Sequence, residues 1–266
     1  MIDDQNERRT SFDQVAGLYN QVRPGYPDAL FEDVIALSHL PSDGQILEIG
    51  CGTGQATLPF ARQGYSICCI EPGANLAAVA QQNLAPYSNA EVVISPFEIW
   101  LEDKASFDLV ISATAFHWID PAVRYQKAAH VLKSNGVIAL FWNKHVQTEI
   151  SADFFQAIQA VYDRIMPDTA EKFPGLPHPD EIPTPIKEEL DRSGLFGAVA
   201  IRKYKWNRVY NADDYISLLN TYSDHRALDD SIREALFLDI AELINAQFAG
   251  QIIKEYLTLL YLAYRK

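Results

Sequence analysis

Gln45–Gln55 reads Q-I-L-E-I-G-C-G-T-G-Q, and its pattern decides the fold. Ile46, Leu47 and Ile49 form a short apolar run that suits a buried strand. Glu48 interrupts the run, and Gly50, Gly52 and Gly54 follow at alternate positions. Glycine accepts positive φ and lets a ligand approach the backbone with no Cβ in the way. A helix is expected next, over 56–63, with unpaired N–H groups at its start. Strand, glycine loop and helix in that order open a nucleotide-binding α/β unit.

Upstream of this unit, Phe12, Val15, Ala16 and Tyr19 have the spacing of a short helix. Arg23–Pro27 (R-P-G-Y-P) is a stiff turn, and Asp28 is placed to cap a helix over 29–38. Downstream, strands at 66–70, 91–94, 107–112 and 137–142 alternate with helices at 75–84 and 121–132. Such alternation implies a mostly parallel, doubly wound sheet with helices on both faces. The pattern then changes. A helix over 151–165 leads into a stretch with repeated prolines between Pro167 and Pro185. A stretch that long without elements of its own reads as a lid, binding loop or linker. Helices follow at 186–193, 212–219 and 231–247, a strand at 198–209, and an apolar, β-rich run at 252–264 that suits a last, central strand. The expected organisation is a helical cap over 1–40, a ligand-binding core over 41–145, a lid over 146–197 and a part that completes the sheet over 198–266.

The 266 residues are enough to bury a sizeable core, and 48% hydrophobic with 21% charged content is ordinary for a globular chain. A net charge of −13 argues against nucleic acid or an anionic membrane as partner. Cys51, Cys68 and Cys69 do not make a disulfide framework, and the polar first residues do not resemble a signal peptide, so a cytoplasmic setting is expected. No apolar run reaches membrane-spanning length, and no His/Cys/Asp cluster has metal-ligand spacing.

Glu71 ends the second expected strand about twenty positions after the glycine loop, where an acid hydrogen-bonds a ribose diol. The loop is G-x-G-x-G, not the G-x-G-x-x-G of dinucleotide sites, and Glu48 would repel a pyrophosphate but attract an ammonium group. Adenosine at one end and an amino acid at the other satisfy both facts, and S-adenosylmethionine is such a ligand. A dinucleotide-dependent oxidoreductase is the less favoured alternative, and a non-catalytic S-adenosylmethionine-binding protein is the other.

I-L-E-I-G-C-G-T-G resembles motif I of the class I methyltransferases. F-D-L-V-I-S-A-T-A-F-H-W-I-D (107–120) and V-L-K-S-N-G-V-I-A-L-F-W (131–142) resemble their fourth and fifth strand segments. The opening F-x-x-V-A-x-x-Y-x-x-x-R-P-G-Y-P resembles the methyltransferase type 11 group, in a pattern like that of trans-aconitate methyltransferases. The resemblance implies a Rossmann-like seven-stranded sheet with an antiparallel last strand, and methyl transfer to a small molecule, with a carboxylate or hydroxyl favoured. It implies that Glu48 and the loop (Gly50, Cys51, Gly52, Gly54) hold the methionine end, and that Glu71, beside Pro72, takes the ribose. Pro96, Phe97 and Glu98 would meet the adenine, and Ala113 and Thr114 would lie beside the methionine moiety. Tyr19 and Arg23 would close over the cofactor. His117 follows the fourth strand, where the methyl group is expected, and is a candidate general base. Monomer and homodimer are both compatible with the sequence.

Overall fold

The structure, a computed structural model, describes residues 13–101, 105–167 and 175–266. Its centre is a seven-stranded sheet in the order β3-β2-β1-β4-β5-β7-β6. The strands are β1 (Gln45–Ile49), β2 (Ser66–Glu71), β3 (Ala90–Ile94), β4 (Phe107–Ala113), β5 (Leu132–Val146), β6 (Ala200–Asn211) and β7 (Gln251–Tyr264). β1 pairs in parallel with β2 and β4, while β7 runs antiparallel to both β5 and β6. The run 252–264 is therefore an interior strand, and the alternating 198–209 segment is the edge. That placement explains their patterns: β7 is buried on both faces over most of its length and mainly apolar, with Lys254, Glu255 and Thr258 as buried exceptions, whereas β6 keeps polar residues at alternate positions.

One face of the sheet is covered by α2 (Asp28–Ser38), α3 (Thr57–Arg62) and α4 (Ala74–Leu84), through Leu30, Phe31, Phe60 and Leu84. The other face packs against α5 (Arg124–Val131) and α7 (Pro185–Ser193), through Tyr125, Ala128 and Leu190. A third apolar cluster joins α6 (Ala152–Ile165), α8 (Ala212–Leu219) and α10 (Asp230–Gln247) to the start of β7. α9 (Ser223–Arg226) links α8 to α10. The helices of the segment expected as a lid thus divide. α6 joins this third cluster, while α7 packs on the sheet, where Glu189 accepts from Arg124 and Tyr125.

Several boundaries move for identifiable reasons. The first described helix, α1, spans Ala16–Val22 rather than 12–19, and Phe12 lies outside the described residues. Asp13 accepts hydrogen bonds from the N–H groups of Asn75 and Leu76, capping α4, and Val15, at φ −120° and ψ 26°, occupies the cap position of α1. Pro27, not Asp28, occupies the cap position of α2, with no side-chain cap bond. α5 begins at Arg124 because Asp120 forms the preceding turn, accepting from Ala122 through its side chain. β5 reaches Val146, beyond the expected Trp142, because it stays paired with β7 as far as Glu255. No described helix is long and apolar enough to cross a membrane.

Candidate functional site

The loop after β1 folds back on β2, with the N–H groups of Gly50 and Cys51 both donating to the Ile70 carbonyl. Gly50, Gly52 and Gly54 all take positive φ, at 71°, 56° and 83°. A Cβ on Gly50 would come within 2.6 Å of the Ala115 side chain, so that glycine is needed for close approach to the segment after β4. A Cβ on Gly52 would meet no protein atom within 4 Å, so the loop is bare where it faces the cleft beside it.

Glu71 closes the other side of that cleft. It is 6% exposed, and one carboxylate oxygen accepts from the Gly52 N–H at 2.9 Å while the other accepts from the Gly73 N–H at 2.8 Å. The end of β2 is thereby tied to the tip of the glycine loop. Pro72 and Phe97 extend the wall, and Phe97 is 2% exposed beneath the cleft. Ala113, Thr114 and Ala115 form the wall at the end of β4. Thr114 has φ 54°, a left-handed conformation that is strained for a β-branched residue. Its hydroxyl shares a 2.8 Å hydrogen bond with the Tyr26 hydroxyl, and its N–H donates to the Phe141 carbonyl. The R-P-G-Y-P turn therefore buttresses the strained residue. Asn143 adds a second tie by donating to the Gly25 carbonyl.

Tyr19 and Arg23 line the outer side of the cleft. The Arg23 guanidinium lies between the rings of Tyr19 (4.9 Å) and Tyr222 (4.6 Å) and donates twice to Thr221. The N-terminal part of the chain is so fastened to the loop after α8.

His117 sits in the short 3-10 turn Phe116–Trp118 at the cleft mouth. Its Nδ1 accepts a hydrogen bond from the Trp142 indole N–H at 3.1 Å. Although the ring is solvent-accessible, the groups packed round it, then the charges of Lys144 and Arg124, push its pKa down to about 4. The neutral ring with an accepting Nδ1 carries its proton on Nε2, so it offers the cleft a donor. That arrangement does not suit the general-base role expected from sequence.

Five of the expected residues do not line the cleft: Glu48, Cys51, Gly54, Pro96 and Glu98. Glu48 is fully buried behind the loop, and one oxygen accepts from Thr57 at 2.6 Å while the other has no hydrogen-bond partner among the described residues. Burial, opposed by the Thr57 hydrogen bond and aided by the charge of Glu71, raises its pKa to about 8. Strand alternation explains this: Ile49 faces the cleft, and Glu48 faces the helix side. The Cys51 thiol is held protonated by its hydrogen bond with Cys69 and by burial, which does not suit a nucleophile. Gly54 tightens the loop by donating to the Cys51 carbonyl. Glu98 accepts from the Asp120 N–H instead of reaching the cleft. Conversely, Leu76, Trp118 and Ile119 line the cleft without having been singled out by spacing. Among the described residues, no group of His, Cys, Asp and Glu is placed to hold a metal ion.

Glu48 gives a pH prediction. Below its ordinary value of 4.5 the group is protonated in both the folded and unfolded states and costs nothing. Between 4.5 and about 8 the folded state holds a proton that the unfolded chain has released, so stability falls as pH rises through that window. Glu48→Gln removes this slope. Urea titrations should show the variant gaining on the wild type from pH 5 to pH 8, by an amount on the order of a few kcal/mol. Parallel curves at both pH values would mean that Glu48 is not buried as described.

Residues 47–140 match the model of the methyltransferase domain family Methyltransf_11. An uncharacterised methyltransferase of Mycobacterium tuberculosis is 33% identical over 138 residues, which are 50% of this chain and 52% of that protein. A probable S-adenosylmethionine-dependent methyltransferase of Saccharomyces cerevisiae is 30% identical over 148 residues, 54% of this chain and 50% of that one. The match thus spans about half the length of these curated relatives. In fold, the chain is similar to Haemonchus contortus phosphoethanolamine N-methyltransferase 2, solved with phosphomonomethylethanolamine and S-adenosylhomocysteine. The TM-score is 0.56 at 13% identity, covering 99% of this chain and 60% of that one.

Proposed function

Residues 47–140 belong to the methyltransferase domain family, and from that premise we propose that the protein transfers a methyl group from S-adenosylmethionine to a small-molecule acceptor. The observation that carries the reading is the Gly52–Glu71 hydrogen bond, which sets a side-chain-free loop and an ordered carboxylate on two sides of one cleft. An adenosine ligand needs both features. The open space over Gly52 and the apolar surface of Ile49, Phe97 and Ile119 also fit such a ligand. When bound, the cofactor supplies an electrophilic methyl group on sulfur.

The chain's residues then do the following. The Glu71 carboxylate accepts the ribose hydroxyls, kept in place by the two backbone N–H groups that hold it. Phe97 lies against the adenine. The Gly50–Gly52 backbone, Ala113 and Thr114 shape the end that takes the amino-acid moiety. Arg23, gripped between two tyrosine rings and Thr221, presents positive charge to that moiety's carboxylate. Glu48 acts on the loop only from behind, through Thr57 at the start of α3. His117 orients the acceptor by donating from Nε2. Transfer to such a methyl needs alignment and exclusion of water more than proton chemistry. An acceptor bearing a carboxylate, which needs no proton removed at neutral pH, or a hydroxyl is favoured.

Incubation with methyl-labelled S-adenosylmethionine and a panel of small acids, alcohols and amines tests the reading. Labelled product together with S-adenosylhomocysteine is expected. Tight cofactor binding without label transfer to any acceptor would support a non-catalytic binding protein instead. His117→Ala should lower kcat about tenfold while S-adenosylhomocysteine affinity changes little. The wild-type imidazole should titrate by NMR with a midpoint near 4, leaving the rate free of a His117 ionisation between pH 6 and 8. A midpoint near 6.5 would restore the general base.

A further inference from the structure

A second cavity lies behind the Arg23–Tyr222 stack. Its volume is about 230 Å³. The Tyr222 ring, which stacks on Arg23, lines this cavity, and its hydroxyl is 3.3 Å from Nε2 of His145 at the end of β5. Phe155 and Ile158 of α6 and Tyr215 and Leu219 of α8 make the walls apolar and largely aromatic. Lys254 of β7 lines it too.

Lys254 is the anomaly. It is 2% exposed, and among the described residues it makes neither a hydrogen bond nor an ion pair. Its ammonium lies 5.1 Å from the Phe155 ring centre and 5.6 Å from that of Tyr256. The adjacent acid, Glu255, is taken by Thr148 and Ser151. The acid that lines the cavity, Asp224, accepts from the His225 backbone N–H at 3.0 Å and lies 3.1 Å from His225 Nδ1. His145 is kept neutral by burial, then by the charge of Lys254, and in neither protonation state carries the negative charge an ammonium needs. A buried ammonium without a partner is expensive, and aromatic faces offset only part of the cost. Burial accordingly lowers the Lys254 pKa to about 7. Leucine or methionine would fill the same position at no electrostatic cost, so the charge calls for a partner that the described residues do not provide.

We propose that this cavity anchors the methyl acceptor by a carboxylate distinct from the group that is methylated, that the acceptor is an acid with an apolar or aromatic body, and that Lys254 is the counter-charge. The proposal rests on the methyl-transfer reading above. Among the described residues Lys254 is the one Lys or Arg that lines the cavity, and a single ammonium matches a carboxylate better than a phosphate. The aromatic walls take the body of the ligand, and the Arg23–Tyr222 stack places it next to the cofactor cleft.

The test uses the full chain saturated with S-adenosylhomocysteine and four matched probes: 3-phenylpropanoate, 3-phenylpropanamide, 3-phenylpropanol and 3-phenylpropyl phosphate. Calorimetry or ligand-observed NMR should show the acid binding about tenfold or more tightly than the amide and the alcohol, and more tightly than the phosphate. Lys254→Met should remove that preference, and Lys254→Arg should keep part of it, with S-adenosylhomocysteine affinity changed less than about threefold. Equal binding of acid and amide, an unchanged acid affinity in Lys254→Met, or a stronger phosphate would each overturn the proposal. If Lys254→Met does not fold, the wild type labelled with ¹³C-lysine decides. The acid must raise the Lys254 titration midpoint, and an unmoved midpoint refutes the pairing. Failure to bind S-adenosylhomocysteine in the first place counts against the methyl-transfer reading, whereas cofactor binding without acid selectivity counts against the Lys254 site alone.

Discussion

Gly52→Val should reduce affinity for S-adenosylhomocysteine by at least about 100-fold while the protein stays folded, a change worth roughly 2.7 kcal/mol. Two effects act together. At φ 56° a β-branched residue is strained by about 1–2 kcal/mol in the left-handed region. The new side chain also has no protein atom within 4 Å of its Cβ, so it occupies the open cleft rather than the core. The contrast with Gly50 makes the measurement specific. A Cβ at Gly50 strikes Ala115 at 2.6 Å, so Gly50→Val should lower the melting temperature as well as the affinity. Calorimetry and thermal unfolding of the two variants separate a blocked site from a damaged fold. A Gly52→Val chain that binds normally would mean that the ligand does not pack on this loop.

Glu71→Ala carries the second large effect. The substitution removes the acceptors of the Gly52 and Gly73 N–H groups in a nearly buried position. A buried donor left unpaired costs about 1–3 kcal/mol, so both the loop and the cofactor's ribose lose their support. The expected result is a loss of cofactor affinity of roughly 10- to 100-fold, together with a lower melting temperature. Glu71→Gln keeps one acceptor oxygen and should fall between the wild type and Glu71→Ala. Equal affinities for all three would remove Glu71 from the site.

The parallel half of the sheet was legible because each strand carries its own apolar run and each helix its own period. The interior position of β7 was legible too, because a strand buried on both faces has to be mainly apolar. Helix starts were less so. Asp120 acts on a backbone group that sequence spacing does not reveal and moves the start of α5, and Asp13 caps α4 from 62 residues away. In the site, the glycines and Glu71 could be read because loop and strand end are joined by one short helix and one strand. Arg23 could be singled out, but not its partner Thr221, which is 198 residues away and carries no local signal. The strain at Thr114 and its support by Tyr26 depend on contact between segments 88 residues apart. Glu48 was read on the wrong side of its strand, since an acid beside a glycine loop looks the same in sequence whether it faces ligand or helix. Lys254 lay hidden in an apolar run, where spacing gave no reason to expect a charge buried without a partner.

The central claim is that the cleft between the glycine loop and Glu71 is built for an adenosine joined to an amino acid. Calorimetric titration of the full chain with S-adenosylhomocysteine, with NAD⁺ in a parallel run, tests it most directly. One saturable site for S-adenosylhomocysteine in the micromolar range or tighter, about −8 kcal/mol or better, is expected, with no measurable binding of NAD⁺. Saturable binding of NAD⁺ without binding of S-adenosylhomocysteine would contradict it.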